Sequence, residues 1–228
     1  MINFSSVSTK SFLGKALRIV LRIIPGGMTM RILQGPLKGK KWIKASGING
    51  YWLGSFELDK VQQFYKSLRE GQVVYDIGAN VGYYTLISSV AVGTEGKVFA
   101  FEPLPMNVNF LQRHLELNHA SNVTVFEYAI SDSEGTVLFD EGPNRFMGRI
   151  SSTGSIQVQM IDLDTLHDKG EIDLPDVIKI DVEGAELAVL HGLESIIALS
   201  KPILFVATHE GNQPGVHNGC IEYLQSKG

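Results

Sequence analysis

Short apolar runs alternating with segments of helical periodicity predict an α/β domain built on a mostly parallel, doubly wound sheet. From residue 72 onward, runs such as Val73-Val74-Tyr75 and Val177-Ile178 are apolar on both sides of the chain. Strands of that kind belong to sheets covered by helices on both faces. Three of the runs close on acidic residues, at Asp76, Glu102 and Asp181. In such sheets ligands bind beyond the carboxyl ends of the strands. A length of 228 residues suits one well-buried domain with an extension rather than two full domains.

Residues 1–55 read as an accessory region holding a helix and a hairpin. Over 12–24, Lys15, Arg18 and Arg22 share one helical face, while Leu13, Ala16, Leu17, Val20 and Ile24 share the other. Such a helix packs on the domain or on a second copy in a homo-oligomer; peripheral membrane contact is the second reading. Pro25-Gly26-Gly27 stops it. Residues 30–34 and 41–44 then flank a glycine-bounded turn and predict a hairpin.

Residues 56–228 form the main domain. Helices are expected over 56–68, 82–92, 106–118, 185–199 and 219–226. Strands are expected over 73–77, 97–102, 123–128, 135–139, 156–161, 177–181 and 202–207. A loop containing Arg145, Phe146 and Arg149 separates two of these strands and is expected to shape a substrate pocket. The charge pattern of residues 12–24 interrupts the one segment approaching the roughly 18 apolar residues of a membrane span.

Composition excludes several classes. A net charge of −4 argues against a nucleic-acid partner, because binders of phosphate backbones carry a basic surface. Cys220 is the single cysteine, so neither an internal disulfide nor a thiolate metal cluster can form. This fits a reducing compartment, and the cytoplasm is expected. The histidines show no close metal-ligand spacing, and no metal is expected; the alternative set for magnesium would be Asp181, Glu183 and Glu210.

The strand ends carry the chemistry. Asp76-Ile77-Gly78-Ala79-Asn80-Val81-Gly82 closes one strand and opens a helix. Its two glycines permit a sharp turn and close approach of a ligand. A dinucleotide site wants G-x-G-x-x-G, whereas here an acid precedes G-x-x-x-G. Asp76 would oppose a pyrophosphate at the helix start but suits a cofactor bearing an amine and a sulfonium. Glu102, at the next strand end, is placed to accept both hydroxyls of a ribose. The charge logic favours S-adenosylmethionine over a nicotinamide cofactor.

Together Asp76–Thr85, Phe101-Glu102-Pro103, Ala129-Ile130-Ser131-Asp132 and Ile180-Asp181-Val182-Glu183-Gly184-Ala185-Glu186 resemble the FkbM family of methyltransferases. The resemblance implies a Rossmann-like class I methyltransferase fold and S-adenosylmethionine as donor. It also implies an oxygen acceptor on a sugar, polyketide or related metabolite. Carried over by position, Asp76, Gly78, Ala79, Asn80 and Gly82 would line the methionine end. Glu102 with Pro103 would hold the ribose, Ala129 and Ile130 would edge the adenine, and Glu57 would reach the cofactor amine. The chain stops at Gly228, where the family's final strand pair is expected, so that pair is expected to be missing.

Methyl transfer from a sulfonium is an in-line displacement that needs alignment, and a hydroxyl acceptor also needs a base. The candidates are Asp181, Glu183, Glu186, His209 and Glu210. Asp181 would also touch the cofactor. Each has a structural alternative: Glu186 could complement a helix dipole, and Asp181 and Glu183 could cap a helix. His209 ends the run Leu204-Phe205-Val206-Ala207-Thr208-His209 and is the best neutral base at physiological pH. Two other functions stay open: an inactive S-adenosylmethionine-binding partner subunit, and an NAD-dependent oxidoreductase.

Overall fold

The computed structural model describes residues 24–141, 146, 148–150 and 154–227. The predicted helix over 12–24 and Arg145 fall outside the described residues. Five parallel strands make the central sheet: β3 (Val73–Ile77), β4 (Lys97–Phe101), β5 (Val123–Phe126), β10 (Val177–Ile180) and β11 (Ile203–Val206), in the order β11-β10-β3-β4-β5. Val74 lies between Val98 on one side and Val177 on the other. Because β4 and β10 flank β3 on opposite sides, the order reverses at β3, and a crevice opens there. Among the described residues no strand follows β11, and no helix is long and apolar enough to cross a membrane.

Alternate residues of these strands feed two cores. Val74, Val98 and Ala100 face α2 (Leu58–Ser67), α3 (Tyr83–Val92) and α4 (Pro105–Asn118), meeting Val61, Phe64, Leu86, Ile87 and Leu111. Tyr75, Ile77, Phe99, Phe101, Ile178 and Ile180 face the other way. They meet Val189, Leu190 and Ile196 of α6 (Glu186–His191) and α7 (Glu194–Ser200), and Val216 and Cys220 of α8 (Val216–Ser226). This is the doubly wound arrangement that two-sided apolar strands demand.

A second sheet stands beside the first, in the order β6-β9-β7-β8: β6 (Tyr128–Ile130), β7 (Gly135–Glu141), β8 (Gly148–Ile150) and β9 (Ile156–Ile161). It corrects one expectation. The single strand over 123–128 divides, because the Phe126 carbonyl accepts from the Glu102 amide in the main sheet, whereas Tyr128–Ile130 pairs with β9. The helix over 185–199 divides too. A Cβ at Gly192 would lie 1.9 Å from the Ser131 carbonyl oxygen, so the chain must be bare there. The Asp164 carboxylate, in the short α5 (Leu163–Asp168), accepts from the amides of Ser195 and Ile196 and opens a new helix.

The hairpin forms as expected from β1 (Thr29–Arg31) and β2 (Lys41–Ile43), followed by α1 (Gly50–Leu53). Trp42, fully buried, stacks on His114 of α4 with centroids 3.7 Å apart. The His114 ring accepts from the Ile43 amide and donates from Nδ1 to the Val81 carbonyl. Burial pushes its pKa down to about 4, so the ring is neutral and can serve as acceptor and donor at once. The hairpin is thereby fastened to the glycine turn.

Candidate active site

A cleft of about 340 Å³ opens at the carboxyl ends of β3, β4 and β10. It brings together Glu57, Gly78, Ala79, Asn80, Glu102, Pro103, Ala129, Ile130, Asp181, Glu183 and His209, all expected from the sequence. Asp76, Gly82 and Glu186 lie behind its walls rather than on them.

The first wall is the glycine turn. Gly78 has φ of 75°, and a Cβ there would sit 2.0 Å from the Asp181 carbonyl oxygen, so no other residue fits. The amides of Gly78 and Ala79 both donate to the Phe101 carbonyl, and that of Asn80 donates to Glu102 Oε2 at 2.7 Å. The Val81 amide donates to the Asn80 side chain, and Gly82 to the Ala79 carbonyl. Every amide of the turn has a protein acceptor. Asp76 is wholly buried behind it: Oδ2 accepts from Thr85 at 2.6 Å, and Oδ1 pairs with Lys179 at 2.9 Å. Its charge is matched inside the protein, not in the cleft.

Glu102 is buried beside the turn. Oε1 accepts from the Leu104 amide and from Asn107 Nδ2. Burial pushes the carboxyl up, and the donors from Asn107, Leu104 and Asn80 oppose that rise. Leu104, Tyr128, Phe139 and Gly148 continue the wall beyond it as an apolar surface. Asn107, Phe139 and Gly148 were not found from the sequence; the last two arrive from the second sheet, and only their tertiary placement marks them.

The second wall is ionic. Lys179 is buried, donates to the Gly78 carbonyl at 2.8 Å, and stands 4.0 Å from Asp181 Oδ2. Burial alone would lower its pKa, but the charges of Asp76 and Asp181 outweigh that and hold it above the ordinary lysine range. His209 places Nδ1 2.7 Å from Glu186 Oε1, and Nε2 3.4 Å from Asp181 and 3.8 Å from Glu183. The Glu186 bond, with the Glu183 and Asp181 charges, raises the His209 pKa against a smaller desolvation effect. The carboxylates around it thus favour the protonated ring more than water would. Burial pushes Glu186 upward, but His209 and the Gly184 amide hold its carboxyl below the usual range.

Glu210 is elsewhere. Its oxygens accept from the amides of Gly215 and His217 at the start of α8, so it caps that helix. The three oxygen ligands considered for magnesium do not converge. Among the described residues no group of three or more such side chains is arranged to hold a metal.

Two further features frame the cleft. Tyr51, Phe56, Tyr83 and Tyr84 form an aromatic side, with Tyr51 centred 4.8 Å from Phe56 and 4.9 Å from Tyr83. Among the described residues five non-glycine residues adopt positive φ, and three of them, Glu57 (39°), Asn80 (52°) and Glu183 (58°), line the cleft. Backbone held in that region costs about 1–3 kcal/mol per residue and concentrates where function demands it.

Residues 76–228 match the family model described as the methyltransferase FkbM domain. The chain belongs to the FkbM methyltransferase family. The glycine turn, Glu102 and the Asp181–Glu186 segment all fall inside the matched span, while Glu57 and the hairpin precede it. The FkbM chain is 32% identical over 160 residues to the hexuronic acid methyltransferase AglP of Haloferax volcanii, covering 69% of this chain and 64% of that protein. It is 29% identical over 164 residues to the methyltransferase sdnD of Sordaria araneosa, covering 56% and 62%. It thus spans less than two thirds of either relative. The crystal structure of a methyltransferase FkbM from Methylobacillus flagellatus shares the fold, with a TM-score of 0.51 at 17% identity, covering 79% of this chain and 49% of that one.

Proposed function

We propose that this FkbM chain transfers a methyl group from S-adenosylmethionine to a hydroxyl of a sugar. The observation that carries the reading is one cleft with two unlike walls: a glycine turn beside a buried carboxylate, and an ionic wall facing it. The residues fit the cofactor. Gly78 lines the cleft with bare backbone, and Glu102 accepts three donors where an ionised carboxylate offers about four acceptor sites, leaving capacity for a ribose hydroxyl. Leu104, Ala129, Ile130 and Phe139 give an apolar surface suited to adenine. When bound, the cofactor supplies a methyl carbon made electrophilic by its sulfonium.

The same turn disfavours a dinucleotide. Phosphate binds at helix starts through free amides, and here each amide of the turn is already given to a protein acceptor. The sugar acceptor draws support from the relative whose name specifies a hexuronic acid. On the ionic wall Asp181 faces the cleft between two cations, Lys179 and His209. It is the group placed to take a hydroxyl proton, with Glu186 orienting the imidazole behind it.

Calorimetry with S-adenosylmethionine and S-adenosylhomocysteine tests the donor, using wild type and Glu102→Gln. Micromolar binding that weakens about tenfold in the variant, the loss of one good hydrogen bond, is the expected result. A folded wild type that binds neither ligand sinks the proposal. Labelled methyl transfer to a panel of methyl glycosides then tests the acceptor.

A further inference from the structure

From the sequence Lys179 is expected only to precede the strand end and pair with one of the neighbouring acids, yet it also lines the cleft. An ammonium has three donors. One reaches the Gly78 carbonyl at 2.8 Å, and Asp76 Oδ1 stands 2.9 Å away as an ion-pair partner. The next anion, Asp181 Oδ2, is 4.0 Å away, beyond hydrogen-bond reach. That gap is the width of one bridging oxygen, about 2.8 Å from each group.

We infer that Lys179 is a catalytic residue whose third N–H donates to the acceptor oxygen, seated between Nζ and Asp181 Oδ2. This rests on the reading of the cleft as a site of hydroxyl methylation. The chemistry of the gap selects a neutral hydroxyl. A ligand carboxylate at the same point would sit between Asp76 and Asp181 and be repelled by both. A hydroxyl donates its own proton to Asp181 and accepts from Lys179. As the oxygen forms its bond to the methyl carbon and the carbon–sulfur bond breaks, the proton passes to Asp181 Oδ2. The carbon–sulfur electron pair stays on sulfur. The ammonium steadies the negative charge that gathers on oxygen before the new bond is complete, a role that needs a donor already in place. Its raised pKa keeps that donor charged. The aromatic face of Tyr84, 5.3 Å from Nζ, and the carbonyl of Gly78 fix its direction.

The test compares methyl transfer to the methyl glycosides of glucose and glucuronic acid with S-adenosylhomocysteine affinity in Lys179→Met. Because this change alone strands the buried Asp76, the double variant Asp76→Asn/Lys179→Met is measured beside it. The expected result is a kcat about 100-fold lower in both, the usual cost of one lost transition-state donor, with cofactor affinity within about threefold of wild type. A folded double variant that retains wild-type kcat overturns the assignment. So does a fall in S-adenosylhomocysteine affinity that matches the fall in kcat, since the ammonium would then serve the cofactor. If wild type methylates neither glycoside, the hydroxyl-acceptor reading itself fails and takes this assignment with it.

Discussion

The two walls of the cleft are built on opposite terms. On the glycine turn and Glu102, polar groups meet protein partners at 2.6–3.1 Å, and the turn's amides are all engaged. On the ionic wall Asp181 stands 4.0 Å from Lys179 and 3.4 Å from His209, and Glu183 is 3.8 Å from the same ring. The amides of the first wall's turn are engaged before any ligand arrives, so the turn can hold shape at little reorganisation cost. The second leaves charged groups just out of mutual reach, where an arriving oxygen completes the contacts.

The sharpest way to break this contrast is Gly78→Ala. The added carbon would meet the Asp181 carbonyl at 2.0 Å in a backbone with φ of 75°, so both walls must move. Loss of cofactor binding and destabilisation by about 3 kcal/mol or more are expected in calorimetry and urea unfolding; a variant as stable as wild type would show the turn to be pliable.

Glu186→Gln should act on the ionic wall alone. It removes the strongest support of the His209 proton, so the pH at which activity changes with imidazole ionisation should fall towards 6.5, with cofactor affinity kept. The linkage has a definite sign. His209, raised above 6.5, contributes stability that is full below that value and lost as pH climbs through its folded pKa. Glu186, held below 4.5, contributes stability present above that value and lost as pH falls through its folded pKa. Wild type should therefore outdo Glu186→Gln most clearly between those two limits, as thermal unfolding at several pH values would read. An identical pH profile in the variant would remove Glu186 from the wall. The smallest effect belongs to Glu210→Gln, which weakens only an exposed helix cap and leaves methyl transfer unchanged. A large kinetic effect there would draw α8 into the chemistry.

The sheet and the three strand ends around the cleft were legible because buried parallel strands are apolar on both faces and the acids at 76, 102 and 181 interrupt or end those runs. The split after Phe126 was not legible, since Val123 to Tyr128 reads as one β-rich run and only pairing with β9 divides it. Gly192 gave no warning either. Its need to be bare comes from the Ser131 carbonyl of a distant segment. Within the cleft, glycines and acids announced themselves, whereas Asn107, Phe139 and Tyr51 are ordinary residues made relevant by placement. The surroundings of His209 were not legible either, since they are carboxylates that follow the neighbouring strand β10, Asp181 and Glu183 on its connection and Glu186 at the start of α6.

The His114 ring gives the fold an acid-sensitive clasp far from the reacting groups. Its folded pKa of about 4 lies below the free value of 6.5, so the stability it lends is whole above 6.5 and drains away as the medium acidifies towards 4. A protonated ring can no longer accept from the Ile43 amide, and the hairpin then loses its hold on the strand of backbone that carries Val81. Mild acid should therefore loosen the glycine turn from behind, through a residue that does not line the cleft.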